Sequence, residues 1–237
     1  MPSRSIQIPC ALTLTLLLGA CAHAVRLPAF NAVPPPSRED ALKQVQAATP
    51  CCKSWDELPF DHALPARPVD YQFDRGSPVA ELDGQHTHFL DFVLPPWHAP
   101  YRVLFKAEPS ARQLQSSYLF APTATLLDAQ FKPLRSEDVK LCEYIGWRPS
   151  QSGAFGSLRG DDKRAKFLVI TTSAAQLKAT TYWEQSPAGF SSDVMSPASS
   201  GDFSIPHGPD GALSVGLLSR EDEGTVSDAI CGKPGRP

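Results

Sequence analysis

Proline constrains this chain more than any other residue. Twenty-four of its 237 residues are proline, roughly twice the ordinary usage of ~5%. Each proline removes a backbone donor and fixes φ, so it breaks a helix wherever it falls inside one. A helix bundle is therefore excluded. Hydrophobic residues at 42% and charged residues at 20% supply a packed core and exclude wholesale disorder. Short strands joined by long turns satisfy both facts. The 22 Lys+Arg stand against 25 Asp+Glu, for a formal charge of −3. No basic stripe appears, so a nucleic-acid partner is not expected. The length suits one large β domain or two small ones.

The N-terminus reads as an export signal over residues 1–20. Arg4 is its positive charge, and an apolar run from about Ile6 to Leu18 follows. That run is shorter than the ~20 residues a membrane span needs. It ends in Leu18-Gly19-Ala20-Cys21, the pattern of a lipoprotein signal. Cys21 is then the lipidation site, and its acyl chains anchor the protein to a membrane. The alternative is ordinary cleavage after Ala22 or Ala24. Ala22, by resemblance to bacterial lipoproteins, directs the protein to the periplasmic side of the outer membrane. Residues 21–50 form a tether containing Pro34-Pro35-Pro36 and one short helix. Ser37 caps that helix, which runs to about Ala48 and stops at Pro50.

Four cysteines remain beyond the signal and the lipid: Cys51, Cys52, Cys142 and Cys231. An even number in an oxidising compartment predicts disulfides. A bond between the neighbours Cys51 and Cys52 would close a strained ring, since bonded cysteines normally hold their Cα atoms ~4.4–6.8 Å apart. The expectation is that these two reach Cys142 and Cys231, with the connectivity open. A metal or redox site is disfavoured, because no Cys-x-x-Cys occurs and no histidine lies near Cys142 or Cys231 in sequence.

From Cys51 onward the hydrophobic period approaches two. Strands are predicted at 69–74, 88–94, 101–106, 117–120 and 123–127, then at 141–147, 167–172, 180–183 and 213–217. Phe167-Leu168-Val169-Ile170-Thr171-Thr172 is the most apolar of them. Ser173 opens a short helix to about Lys178. Residues 186–201 read as a loop, and the chain beyond Ser219 as frayed. The fold class is mostly β: a β-sandwich or jelly-roll-like domain over 51–140, then a smaller β-rich part with one short helix over 141–237.

Several short motifs occur in a characteristic order. Cys51-Cys52 is followed by Leu58-Pro59-Phe60, then Ser77-Pro78-Val79, Gly84, Phe89, Phe92 and Leu94-Pro95. Phe120-Ala121-Pro122 and Leu126-Leu127-Asp128 come next. Over about residues 50–220 this order resembles the maltose operon periplasmic protein family. The resemblance implies an exported protein associated with maltose and maltodextrin uptake, without enzymatic activity and without catalytic residues to carry over.

The residues themselves mark no catalytic apparatus. There is no Gly-x-Ser-x-Gly elbow and no Ser-x-x-Lys. His86-Thr87-His88 with Asp91 is the one arrangement suited to a metal, because alternate residues of a strand share a face. A polar strand start on a solvated face is the preferred reading, and no metal or other cofactor is expected. Sugar binding needs an aromatic platform, for which Trp55, Trp97, Trp147, Tyr101, Tyr144 and Tyr182 are available. Trp97 lies between prolines and is the candidate ligand-binding residue, whereas Tyr101 and Trp183 are expected in the core. The expected role is a non-catalytic accessory to carbohydrate transport that binds maltodextrin or an outer-membrane transport protein. The alternative is a structural lipoprotein that only contacts envelope proteins or peptidoglycan. On the cysteine argument, free-thiol labelling of the oxidised mature protein is expected to detect no reactive cysteine; one labelled thiol would refute full pairing.

Overall fold

The computed structural model describes residues 36–96, 101–111, 114–144, 152–185 and 201–229. Cys21, Trp97, Trp147 and Cys231 lie outside them, as do the signal segment and the first part of the tether. The described residues contain α1 (Arg38–Ala47), β1 (Val69–Phe73), β2 (Val79–Leu82), β3 (Gln85–His88), β4 (Leu90–Val93) and β5 (Tyr101–Glu108). Next come β6 (Leu119–Phe120), β7 (Thr123–Leu127), β8 (Pro133–Asp138), β9 (Cys142–Tyr144) and β10 (Gly153–Gly160). The chain continues through β11 (Phe167–Thr171), β12 (Thr180–Gln185), β13 (Gly201–Gly208), β14 (Gly211–Leu217) and α2 (Arg220–Asp228). None of the described helices is long and apolar enough to cross a membrane.

The strands form a mostly β, sandwich-like architecture. A five-stranded sheet runs β1-β14-β5-β10-β9, and a four-stranded sheet runs β4-β11-β7-β8. Smaller sheets are β12-β13-β6 and the hairpin β2-β3. One core lies between the large sheets. Phe73, Val103, Phe105, Leu158, Leu213 and Val215 enter it from the first, and Phe92, Leu126, Leu168 and Ile170 from the second. The alternation of β11 explains the layering. Leu168 and Ile170 face this core, while Val169, flanked by Phe167, faces a second cluster with Cys52, Leu58, Ala80, Leu82, Phe89 and Leu127. Residues of alternate parity point to opposite faces. A strand buried on both sides has no polar parity left, so its sequence is a continuous apolar run.

The boundary expected near residue 140 does not separate two bodies. The five-stranded sheet interleaves β1 and β5 with β9, β10 and β14. β11 lies between β4 and β7, and residues 35–237 form one unit. The cause is the long return of the chain: β10 and β14 pair with β5, β14 with β1, and β11 with β4 and β7, all across that boundary.

The disulfide expectation is also corrected. Cys51 is bonded to Cys52, with Cα atoms 3.8 Å apart, the ordinary spacing across one trans peptide. Cys142 is disulfide-bonded too, so its partner is neither of these. Topology supplies the reason. Cys51 and Cys52 run beside β2 on the outer side of the four-stranded sheet, while Cys142 begins β9 at the far edge of the five-stranded sheet. β2 holds the pair from both directions, through Cys51 N–H to Val79 O (2.8 Å) and Glu81 N–H to Cys52 O (2.9 Å).

α1 forms where expected. The Ser37 hydroxyl accepts from the Asp40 N–H at 3.2 Å, and Ala41 and Val45 are buried. The helix is also tied down. The Arg38 guanidinium donates to His207 O at 2.6 Å and to Leu177 O. β10 and β13 are strands the pattern reading missed. β10 carries glycine at 153, 156 and 160, which lowers strand propensity. Gly156 is nonetheless required: a Cβ there would stand 2.6 Å from Val139 Cγ1 and 2.7 Å from Lys140 O. The hairpin β2-β3, β8 and α2 were missed as well. α2 occupies part of the C-terminal stretch read as frayed.

A buried polar network joins β12, β13 and the 3₁₀ turn Gln176–Lys178. His207 Nδ1 lies 3.0 Å from Gln176 O and therefore carries the proton. Its Nε2 then accepts from the Thr181 hydroxyl at 2.8 Å. The Gln176 amide donates to Pro122 O and Val139 O, at 3.1 and 3.0 Å. Burial holds the imidazole pKa below its ordinary 6.5, and Arg38 acts in the same direction. A depressed histidine pKa means that the unfolded chain binds the proton first as pH falls. The stability contribution is complete above pH 6.5 and is lost as pH falls from there through the folded value. Urea denaturation at pH 7.5 and 5.5 is expected to show the native protein losing more stability on acidification than His207→Gln; equal losses would contradict the assignment.

Candidate functional site

The described surface holds a pocket of about 510 Å³ where the edges of the two large sheets approach each other. β1 is an edge of the five-stranded sheet and β4 an edge of the four-stranded one. The segment 51–64 closes the space between them, and main-chain hydrogen bonds hold it at both ends. Cys51 and Cys52 are pinned to β2 as described. At the other end, Val93 N–H donates to His62 O (2.8 Å) and Leu64 N–H to Val93 O (2.9 Å). Between these points the Phe60 N–H donates to the Asp91 carboxylate. Phe60 has φ 48°, a left-handed conformation uncommon for a bulky residue. Its N–H is aimed at Asp91 from that conformation.

The lining combines an apolar floor with a polar rim. Phe73 and Phe89 are buried, and Tyr71 and Leu90 are half-buried. The disulfide ring adds two sulfurs and two methylenes: Cys51 is exposed and Cys52 buried. Glu57, Asp61, His62 and Gln72 are exposed at the rim. Burial raises the Tyr71 pKa, so its hydroxyl stays neutral and able to donate. Burial also raises the Asp91 pKa, against the lowering by the Phe60 N–H and by His62; Asp61 adds to the rise. One side therefore offers a flat, polarizable surface, and the rim offers several acceptors. A ligand with an apolar face and outward hydroxyls fits this arrangement.

The metal candidates are not gathered into one site. His86 Nε2 lies 3.9 Å from Glu81 Oε2. His88 Nδ1 donates to Pro78 O at 3.0 Å. Asp91 is engaged with Phe60. Among the described residues no three His, Cys, Asp or Glu side chains are grouped to hold a metal ion. The two imidazoles find different partners.

Trp183 is in the core as expected, whereas Tyr101 is only half-buried against it. Trp55 packs on the second cluster. Tyr144 meets Phe155 edge to face, with centroids 5.9 Å apart. Tyr71, the tyrosine that does line the pocket, was not among the candidates. The signal was present in Val69-Asp70-Tyr71-Gln72-Phe73, whose alternation places Tyr71 and Phe73 on one face. Tyr71 looks like a core residue until β1 is known to be an edge strand.

No protein-family model, curated protein sequence or solved structure matches the chain. The resemblance to the maltose operon periplasmic protein family therefore stands on the short motifs alone.

The Asp91 contact generates a stability prediction. Asp91→Ala leaves the Phe60 N–H without its acceptor, and an unsatisfied buried donor costs roughly 1–3 kcal/mol. Asp91→Asn keeps an acceptor oxygen and is expected to cost less. The urea midpoints of the two variants check the order; an Ala variant as stable as the Asn variant would show that the contact does not hold the loop.

Proposed function

We propose that this protein is a non-catalytic envelope lipoprotein, tethered to the outer membrane through Cys21, that binds carbohydrate in the pocket between Cys51–Cys52 and Tyr71. Maltodextrins are the first ligand class to test. The observation that carries the reading is the juxtaposition of the disulfide ring and Tyr71 with the acceptors Glu57, Asp61 and Gln72 around one 510 Å³ pocket. Sugar rings present apolar C–H faces and a belt of hydroxyl donors, and this lining answers both.

A second reading, contact with a transport partner, is favoured by a different surface. Phe60, Phe131 and Phe167 stack with centroids 4.5–5.4 Å apart, and all three are only half-buried. Partly exposed aromatic clusters are common at protein interfaces.

Calorimetric titration of the lipid-free chain (residues 22–237) with maltose and longer maltodextrins tests the first reading. Saturable heat at one stoichiometry is expected, with affinity reduced about tenfold in Tyr71→Ala, or ~1.4 kcal/mol. Loss in Trp97→Ala but not in Tyr71→Ala would move the site away from this pocket. An absence of heat from every sugar would overturn the carbohydrate reading and leave partner contact.

A further inference from the structure

A second, smaller cavity lies beneath α1 and carries chemistry that the sugar pocket does not use. Its volume is about 290 Å³, and Ala41, Gln44, Val45 and Ala47 of α1, with the C-cap Ala48, form one wall. Arg75, Val79, His88 and Asp210 form the rest. Asp210 is only 7% exposed, and its Oδ1 has no hydrogen-bond partner. The other oxygen is left for the Tyr118 hydroxyl, which bonds to this carboxylate. A buried carboxylate oxygen without a donor is costly, and native proteins rarely keep one without a use.

His88 supplies a second acceptor. It is 3% exposed, and its Nδ1 faces the Pro78 carbonyl at 3.0 Å. A carbonyl only accepts, so Nδ1 carries the proton and Nε2 of the neutral ring keeps its lone pair. Phe73 stacks on the ring at 5.9 Å and helps fix its orientation. The cavity therefore holds two buried acceptors that do not satisfy each other. Burial raises the Asp210 pKa; the Tyr118 hydroxyl and His88 act against that rise, and Asp74 adds to it. Arg75, the one permanently charged cation among the described lining residues, is exposed. It disfavours a ligand charged positively at both ends.

We propose that this cavity binds a small primary ammonium compound, with its N–H groups directed to Asp210 Oδ1 and His88 Nε2 and a neutral or anionic end toward Arg75. Three features select this class. The two acceptors call for a donor with more than one hydrogen. Asp210, the one acidic side chain among the described lining residues, calls for a positive donor. The cavity is too poor in His, Cys, Asp and Glu for a metal ion, since no group of three is found among the described residues. The site is separate from the sugar pocket. The turn 74–78 stands between them, giving Arg75 to one and Ser77 and Pro78 to the other.

The test uses the lipid-free chain with ethanolamine as probe and ethylene glycol as its uncharged counterpart. Titration followed by amide NMR is expected to give saturable shifts at residues 41–48, 75, 88 and 210 with ethanolamine and none with ethylene glycol. Asp210→Asn is expected to weaken ethanolamine binding at least tenfold. Ala47→Trp, an exposed substitution at the cavity wall, is expected to block binding without touching the buried cluster; it keeps the test open should Asp210→Asn fold poorly. Maltodextrin titration is expected to be unchanged in Ala47→Trp, so failure of one site is distinguishable from failure of the other. Equal shifts with ethylene glycol, no saturable shift with ethanolamine, or undiminished binding in both variants would overturn the proposal.

Discussion

Burial of β11 on both faces is the constraint on which the remainder of the described structure depends. Leu168, Val169 and Ile170 are all fully buried, yet successive residues face opposite ways. One face can be covered by the five-stranded sheet. The other needs a separate layer, and the chain builds it from the β2-β3 hairpin and the segment 51–64. That outer layer is thin. It contains few strands, so its position depends on main-chain hydrogen bonds to β2 and β4 and on one carboxylate, Asp91. Full burial of a large aliphatic side chain stabilises by ~1.5–3 kcal/mol, which is ample reason to keep such a layer in place.

The candidate pocket follows from the same arrangement. A sheet edge presents unpaired backbone groups and must be covered or interrupted. β1 and β4 are both edges, and segment 51–64 covers the gap only in part. What is left open is lined by Tyr71, which is half-buried, and by the edges of the two cores at Phe73 and Phe89. The disulfide has a dual position for the same reason. Cys52 belongs to the buried outer cluster, while Cys51 faces the opening. The rim is thus attached to strands rather than to a free loop. A site preformed in this way loses little conformational entropy on binding.

Strand periodicity and proline content were enough to identify the β architecture, and β5, β7 and β11 lie close to where alternation places them. Long-range pairing was not readable, because nothing local in Gly153–Gly160 announces a strand between β5 and β9. Its glycines answer to Val139, Lys140 and Tyr101 across the sheet, not to their neighbours in sequence. The split at residue 140 failed for the same reason. Ring geometry disfavours a bond between neighbouring cysteines, but topology puts Cys51 and Cys52 beside β2 and Cys142 on an edge strand of the five-stranded sheet. For the site, residue types pointed to aromatics, but exposure decides which aromatic is available. Exposure depends on which strands are edges.

Two buried polar clusters lie beneath α1, and they differ in a way that packing alone does not require. The His207–Gln176–Thr181 network is saturated: each buried donor and acceptor described in it has a partner, and such a network rigidifies a core. The cluster beneath α1 differs from it by one missing donor, at Asp210 Oδ1. Both lie under the same helix, since Arg38 of α1 caps the His207 carbonyl and Ala41 and Val45 roof the second cavity. Had the helix needed only an anchor, Arg38 and two apolar contacts would have supplied it, and an apolar residue at position 210 would have removed the desolvation cost of the carboxylate. Retention of an acid there, beside a histidine held in one tautomer, is what a binding site requires and what a purely structural junction does not.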